Sequence, residues 1–428
     1  MSATGAGGGI GPEDIGTRVA PPSGATTVVA TDSNSWLGRE SNGPRATAAL
    51  LAVGPDGRLT YYNGTHTRYW DVDPVPGTAA TVEYVAADHL PRSQCGQEVC
   101  TRNVVERANL TTGETTRVYA RITPGKHSTR WHDVDRVDED HLVVADIARD
   151  RVYVVNTTSG LVTWSWEVQS DYRPTETGGP YPGDWTHLND VEVLDDGRIV
   201  ASLRNQDQVV FLDRQRGLIE NWTLGSEDDY AVLYEQHNPD YIPAERGGPS
   251  LLVADSENHR IVEYHRAGDG WNRTWTWRDA QLQWPRDADR LPDGHTLVTD
   301  SNGDRVIEVA RDGDVVWTLD VAFPYEAERL GTGDESTGGS AAGRAGLQSR
   351  VATRSESQGF DPVAVVAGAV RSTAAINAVL YVMPAWVGYA ELGLLAVVAL
   401  VGLCWLAIEL YWASWPAGAA ALRERWQR

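Results

Sequence analysis

Short runs of Val, Ile and Leu alternate with acidic, Gly-containing or Asn-rich turns along most of the chain, and the runs recur in phase. Four stretches align with one another: "HDVDRVDEDHLVVADIARDRVYVV" from His132, "HLNDVEVLDDGRIVASLRNQDQVVFL" from His187, "HNPDYIPAERGGPSLLVADSENHRIVEY" from His237 and "RDADRLPDGHTLVTDSNGDRVIEV" from Arg286. Each predicts a short strand, a turn, an aliphatic strand, a polar turn, a third strand and a fourth that carries tryptophan, as in "LVTWSWEV". Four antiparallel strands repeated every ~50 residues predict propeller blades, because one such sheet cannot bury both its faces alone.

Two more degenerate units, including "LLAVGPDGRLTYYN" and "TVEYVAADHL", lie before residue 125. The expected fold is therefore all-β: a six-bladed β-propeller of four-stranded antiparallel blades over residues 25–324, after a flexible segment 1–24. The early strand "ATTVVATDS" is expected to complete the last blade and join the two ends of the chain. A disordered linker is expected over 325–361, where the pattern stops and Gly, Ser and Thr take over. A membrane-associated helical segment is expected over 362–390. The uncharged run "LGLLAVVALVGLCWLAI" then predicts a C-terminal transmembrane α-helix over 391–413, long enough for ~30 Å of hydrocarbon. Arg423, Arg425 and Arg428 mark 414–428 as a cytoplasmic tail, which leaves the propeller on the extracellular face of the cell membrane. No export signal is visible at the start, so a signal or anchor segment upstream of residue 1 is expected.

In a propeller the residue leading into the innermost strand of each blade faces the mouth of the central channel. His132, His187, His237 and Arg286 hold that position in the aligned units and are expected to converge. A repeat copies its residues, so one such histidine is ordinarily structural. Three imidazoles and a guanidinium at one mouth are different, because clustered cationic groups repel unless an anion joins them. The repeat also breaks where it matters: Asp146, Asp255 and Asp300 follow the second strand in three units, whereas "ASLRNQ" places Ser202 and Arg204 there. Asn189 follows His187 by two and returns to the same channel face.

The formal charge is −22 and the chain has a single lysine, Lys126, which excludes nucleic acid as a partner and suggests a halophilic source. "TPGKHST" around Lys126 lacks the spacing of a phosphate loop. Cys95 and Cys100 could pair, Cys404 lies in the apolar run, and five Asn-x-Thr sequons at Asn63, Asn109, Asn156, Asn221 and Asn272 suggest an external glycoprotein.

The combination "WHDV", "DWTHLND", "SLRNQ" and "YEQHNPD" resembles the nucleotide-independent arylsulfate sulfotransferase (arylsulfotransferase) family, in the form of a haloarchaeal-type, membrane-anchored member. The resemblance implies a sulfuryl group passed from a phenolic sulfate ester to a phenolic acceptor through a sulfohistidine at His237. It also implies that His132, His187, Asn189 and Arg204 surround the sulfuryl oxygens, and Arg286 would add to substrate binding. No cofactor, nucleotide or metal is required, and both substrates are small molecules. The pair Asn238-Pro239 after His237 departs from the family's usual small residue and alanine. Two other function classes remain open at this stage. One is a metal-dependent propeller hydrolase or lyase, with the three histidines and Asp133 or Asp190 as ligands. The other is a non-catalytic cell-surface propeller that binds glycan or peptide.

Overall fold

Alternation along the strands buries both faces of each sheet. In the blade formed by Trp131–Arg136, His141–Asp146, Arg151–Asn156 and Val162–Glu167, the residues Val143, Ala145, Val152 and Val154 pack on the following blade. Leu142, Val144, Tyr153 and Val155, one residue out of phase, pack on the preceding one. The computed structural model, which describes residues 9–32, 46–96, 99–125, 130–351, 374–384 and 387–426, contains six such sheets. Six hydrophobic clusters fill the six gaps between neighbouring sheets, so the ring is closed.

The innermost strands, in chain order, are Arg68–Pro74, Trp131–Arg136, Leu188–Val193, His237–Ile242, Pro285–Arg290 and Pro324–Arg329. The last of these closes the ring. It pairs with Thr27–Thr31, which pairs with Ala49–Val53 and then Leu59–Asn63, so one blade takes three strands from the start of the chain and one from its far end. Closure by both ends is as expected, but three early strands contribute where the sequence suggested one.

The expected disordered linker 325–361 is corrected as far as Val351. Residues 324–329 form the inner strand just described, and "PYEAER" continues the alternation of the other inner strands. Beyond it, a strap with a 3-10 turn at Glu335–Gly338 crosses the end of the channel, a helical turn spans Ala342–Ala345, and Arg350–Val351 adds a parallel edge to Gly270–Arg278. Residues 352–361 lie outside the described residues, as do 362–373 of the expected membrane-associated segment.

A short helix, Ala374–Val382, follows, and then a long one, Tyr389–Trp426. Within the long helix, Glu391–Tyr411 is a 21-residue, predominantly apolar stretch that is almost entirely exposed. At 1.5 Å per residue this is ~31 Å, enough to cross a bilayer. Cys95 and Cys100 form a disulfide with Cα atoms 5.6 Å apart, and Cys404 is free and exposed on the long helix. None of the five sequon asparagines is buried.

Candidate functional site

The residues at the channel mouth are held there by a repeated contact between blades. The link between second and third strands ends in a left-handed residue, Asp150, Asp207, His259 or Asp304, with φ between 50° and 55°. Aspartate tolerates this conformation better than most residues because its short side chain can bond locally. Each side chain then accepts a backbone N–H from the next blade: Thr186 on Asp150 (3.1 Å), Glu235 on Asp207 (2.8 Å), Trp284 on His259 Nδ1 (3.1 Å) and Phe323 on Asp304 (3.0 Å). His187, Glu235, Trp284 and Phe323 are themselves left-handed, with φ of 45° to 59°, and from there the chain turns into the inner strand.

Strand register fixes which residues share a level. Trp131 lies opposite Asp146, Leu188 opposite Leu203, and Pro285 opposite Asp300, while His237 lies opposite Ala254, one residue before Asp255. His132, Asn189, His237 and Arg286 therefore form one tier. Trp70 and Tyr325 complete it, because each precedes a carboxylate that receives a backbone N–H from the next blade. Val134 donates to Asp71 (3.0 Å) and Val72 to Glu326 (2.7 Å), as Val191 does to Asp133 and Ala327 to Asp287. His187 is not the counterpart of His132, which is a correction to the sequence alignment. It stands two residues earlier, in an upper tier with Arg68, Arg130, Glu235, Trp284 and Phe323. A two-residue slip preserves the face of a strand, so His187 still points to the axis.

The three imidazoles do meet. The rings of His132 and His187 lie 5.2 Å apart, and Tyr325 lies 5.4 Å from His132 and 6.2 Å from His237. Arg130 Nε donates to His132 Nε2 at 2.7 Å, and because arginine only donates, Nε2 is the acceptor and Nδ1 carries the hydrogen that meets the Tyr325 hydroxyl at 3.0 Å. His187 Nδ1 lies 2.9 Å from both oxygens of Asp184. His237 Nδ1 lies 2.8 Å from Ser256 Oγ, whose own hydrogen is directed to the Ala254 carbonyl.

Burial pushes the pKa of His237 well below that of a free imidazole, and Arg286, Arg204 and His187 push it the same way. His132 is likewise held well below by burial and then by Arg130, His187 and Arg286. His187 is lowered by burial, which Asp184 partly opposes. Asp184 is itself resisted by burial but held below the usual carboxylate range by His187, Arg204 and Arg130. All three rings are thus neutral near neutral pH.

Around them stand four guanidinium groups. Arg286 is buried among Trp284, Phe323 and Tyr325, with its Cζ 4.5 to 4.9 Å from the three rings, and its nearest carboxylate oxygen, on Asp32, is 4.0 Å away. Arg68 Nη1 lies 3.5 Å from the same Asp32 oxygen. Arg204 bonds Asn205 and Glu235, and its buried Nε has no partner. Arg130 forms no ion pair among the described residues. Asn189 donates to the Gln236 carbonyl at 2.9 Å and leaves Oδ1 buried without a partner. All six residues expected at the site are therefore brought together. The sequence reading missed Arg130, Arg68, Tyr325, Ser256 and Asp184. Arg130 had a signal, since it precedes His132 by two and shares its face.

The break at "ASLRNQ" also has a structural side. Asp146, Asp255 and Asp300 each bond an arginine five residues on, Arg151, Arg260 and Arg305, at 2.5 to 3.0 Å. The third blade replaces that pair with Leu203 and Gln208, while Arg204 stands level with Ser256 and Ser301. The alternative set of metal ligands is not assembled: the described clusters of three or more potential ligands contain none of His132, His187 and His237.

The short helix Ala374–Val382 lies over the mouth rather than away from the propeller. Tyr381 packs edge-on to Trp284 (5.6 Å) and Phe323 (5.5 Å), its ring lies 5.8 Å from Arg286 Cζ, and its hydroxyl interacts with Arg68. Asn377 donates to Glu257 at 2.7 Å.

Residues 127–263 match the family model described as arylsulfotransferase (ASST). No curated protein matches the chain. Among solved structures, the periplasmic gluconolactonase of Pseudomonas aeruginosa is 14% identical, with 72% of this chain and 99% of that one covered and a TM-score of 0.45. A catalytically inactive virginiamycin B lyase from Staphylococcus aureus is 7% identical, with 71% and 86% covered and a TM-score of 0.40.

Proposed function

We propose that the chain is an arylsulfotransferase-like enzyme that passes a sulfuryl group between phenols through a sulfohistidine at His237, without nucleotide or metal. The observation that carries this reading is the state of His237: a buried, neutral imidazole, held at Nδ1 by Ser256, facing a funnel of guanidinium groups one of which, Arg130, forms no ion pair among the described residues. With Nδ1 as the donor, Nε2 keeps its lone pair for attack on sulfur.

In the first half-reaction the N–S bond forms as the bond from sulfur to the aryl oxygen breaks. Developing charge on the three sulfuryl oxygens falls to Arg286, Arg204, Arg130 and Asn189, which are fixed in a buried site and need no reorganisation. The departing phenolate needs a proton. His132 cannot readily supply it, since Arg130 and Tyr325 engage both its nitrogens, so it acts as a positioning group. His187 has only Nδ1 engaged, and Asp184 favours its protonated form when an anionic ester offsets the arginines. His187, neutral before the ester binds, takes up one proton from solvent at Nε2 as the anionic ester binds and gives it to the leaving phenolate. In the second half-reaction it takes the proton of the acceptor phenol, whose oxygen attacks sulfur while the N–S bond breaks, and that proton returns to solvent as the new ester leaves, so both histidines are again neutral.

The Tyr381 ring places a phenol among Trp284, Phe323 and Arg286, and the aromatic wall it touches is a reasonable seat for an aryl group. The long apolar helix anchors the enzyme, with the propeller outside the cell. Incubation of the detergent-solubilised chain with p-nitrophenyl sulfate and phenol tests the reading. Chelator-resistant release of nitrophenol that requires phenol and is lost in His237→Ala is expected. Hydrolysis abolished by chelator, or transfer that survives His237→Ala, would sink it.

A further inference from the structure

Below the histidine tier the inner strands carry a second kind of residue. "WDVD", "HDVD", "NDVE", "RDAD" and "YEAE" place two carboxylates, two residues apart, on the channel face of five strands, and Asp240 adds one from the sixth. The upper carboxylates tie neighbouring blades together by accepting backbone N–H groups, as Asp71, Asp133, Asp287 and Glu326 do, and among the lower ones Asp135 accepts Val193 N (2.6 Å) and Glu192 accepts Tyr241 N (2.8 Å).

That account fails at one point. Asp240, Asp287, Asp289 and Glu335 each bring a carboxylate oxygen within 4.8 Å of the other three. Asp289 is 2% exposed, and neither of its oxygens has a hydrogen-bond partner among the described residues. Asp287 spends one oxygen on Thr299 (3.2 Å) and Ala327 (3.1 Å) and leaves the other unpartnered. Asp240 receives the Ser336 hydroxyl. The nearby guanidinium groups are committed elsewhere, Arg290 to Glu263 (3.1 Å) and Arg329 to Glu308 (2.8 Å). Glu335 also lines a cavity of about 230 Å³ with Asp73, Asp135 and Asp334, which gives the cluster a route to the face opposite the histidines.

We propose that these four carboxylates bind one hard divalent cation of the calcium class, which cross-links the fourth and fifth blades to the strap that closes the channel. The donor set is all oxygen, with no thiolate or imidazole, and a span of up to 4.8 Å matches opposite ligands of an ion bound at ~2.4 Å, the calcium range. The proposal does not rest on the sulfuryl-transfer reading: Asp240, Asp289 and Glu335 lie beyond the imidazole tier, and Asp287, next to Arg286, is the ligand nearest to it.

The full chain, stripped with EGTA in detergent and titrated with calcium chloride, should bind one calcium per chain and melt about 5 °C higher at saturation. Asp289→Asn should bind none. Its melting temperature in EGTA should equal or exceed that of the stripped wild type, because a charge without a partner has been removed. Glu335→Gln, on the strap and outside the blades, should weaken calcium binding at least tenfold and provides a second variant if the first misfolds. Wild-type protein that retains no calcium and melts identically in calcium and EGTA would overturn the proposal, as would an unchanged calcium response in both variants.

Discussion

Arg130 Nε donates to His132 Nε2 at 2.7 Å, and this contact fixes the tautomer of a histidine that touches both the second imidazole and the phenol of Tyr325. Arg130→Ala should leave the fold intact and reduce transfer by about 100-fold, the size expected for one lost donor to a developing oxyanion. Arg130→Lys should not restore it, because a lysine cannot hold His132 and present a planar fork to sulfate at once. Steady-state rates with p-nitrophenyl sulfate, beside a melting curve for each variant, check both outcomes.

In the proposed mechanism Ser256 orients His237 without touching substrate. Ser256→Ala should slow the burst of nitrophenol that reports sulfohistidine formation by about tenfold and leave the KM for the acceptor unchanged. A variant with an unaltered burst would remove Ser256 from the positioning of His237.

The low pKa of His237 has a sign that can be tested. The proposed mechanism needs His237 neutral, and burial with Arg286 and Arg204 nearby holds its pKa well below 6.5, so the burst rate should stay level as pH falls from 8 through 6.5. Arg286→Met removes a neighbouring cation, which makes the imidazolium less unfavourable. The acid limb of the burst profile should therefore move to higher pH in that variant.

In the proposed function Tyr381 stands where an aryl ring would sit, so the helix that carries it would compete with substrate. Tyr381→Ala should lower KM several-fold for phenolic acceptors and leave the sulfohistidine burst amplitude unchanged. An increase in KM would instead assign Tyr381 to acceptor binding.

The carboxylates that line the channel make stability depend on pH in an unusual direction. Burial raises Asp287 to about 7, and burial with neighbouring acids raises Asp135 to about 6 and Asp334 to about 8. Their folded pKa values exceed the unfolded one, so the folded state binds more protons, and stability present below pH ~4 is lost as pH rises towards 8. Protein stripped of divalent ions should melt at a higher temperature at pH 5 than at pH 8. Calcium should reverse that order, since only ionised carboxylates bind it.

Periodicity made the blades, their number and the convergence of the histidines legible, because each unit repeats its turns and aliphatic strands. Register was less legible. "WTHLND" and "RWHDV" both show a histidine before an aspartate, and only the ladder, with Leu188 opposite Leu203, reveals the two-residue offset. Tyr325 was lost because a Gly-rich stretch follows it closely, although "YEAE" repeats the "HDVD" alternation and marked an inner strand. Asp184 and Ser256 act through contacts between segments that no local pattern announces, and the position of Tyr381 depends on how a helix after the propeller folds back.

Since Pro324–Arg329 supplies the innermost strand to a sheet begun by Thr27–Thr31, the blade that closes the ring cannot exist until almost three hundred intervening amino acids have been made. A nascent chain emerging in order therefore cannot bring Tyr325 between His132 and His237 until synthesis has passed the ring.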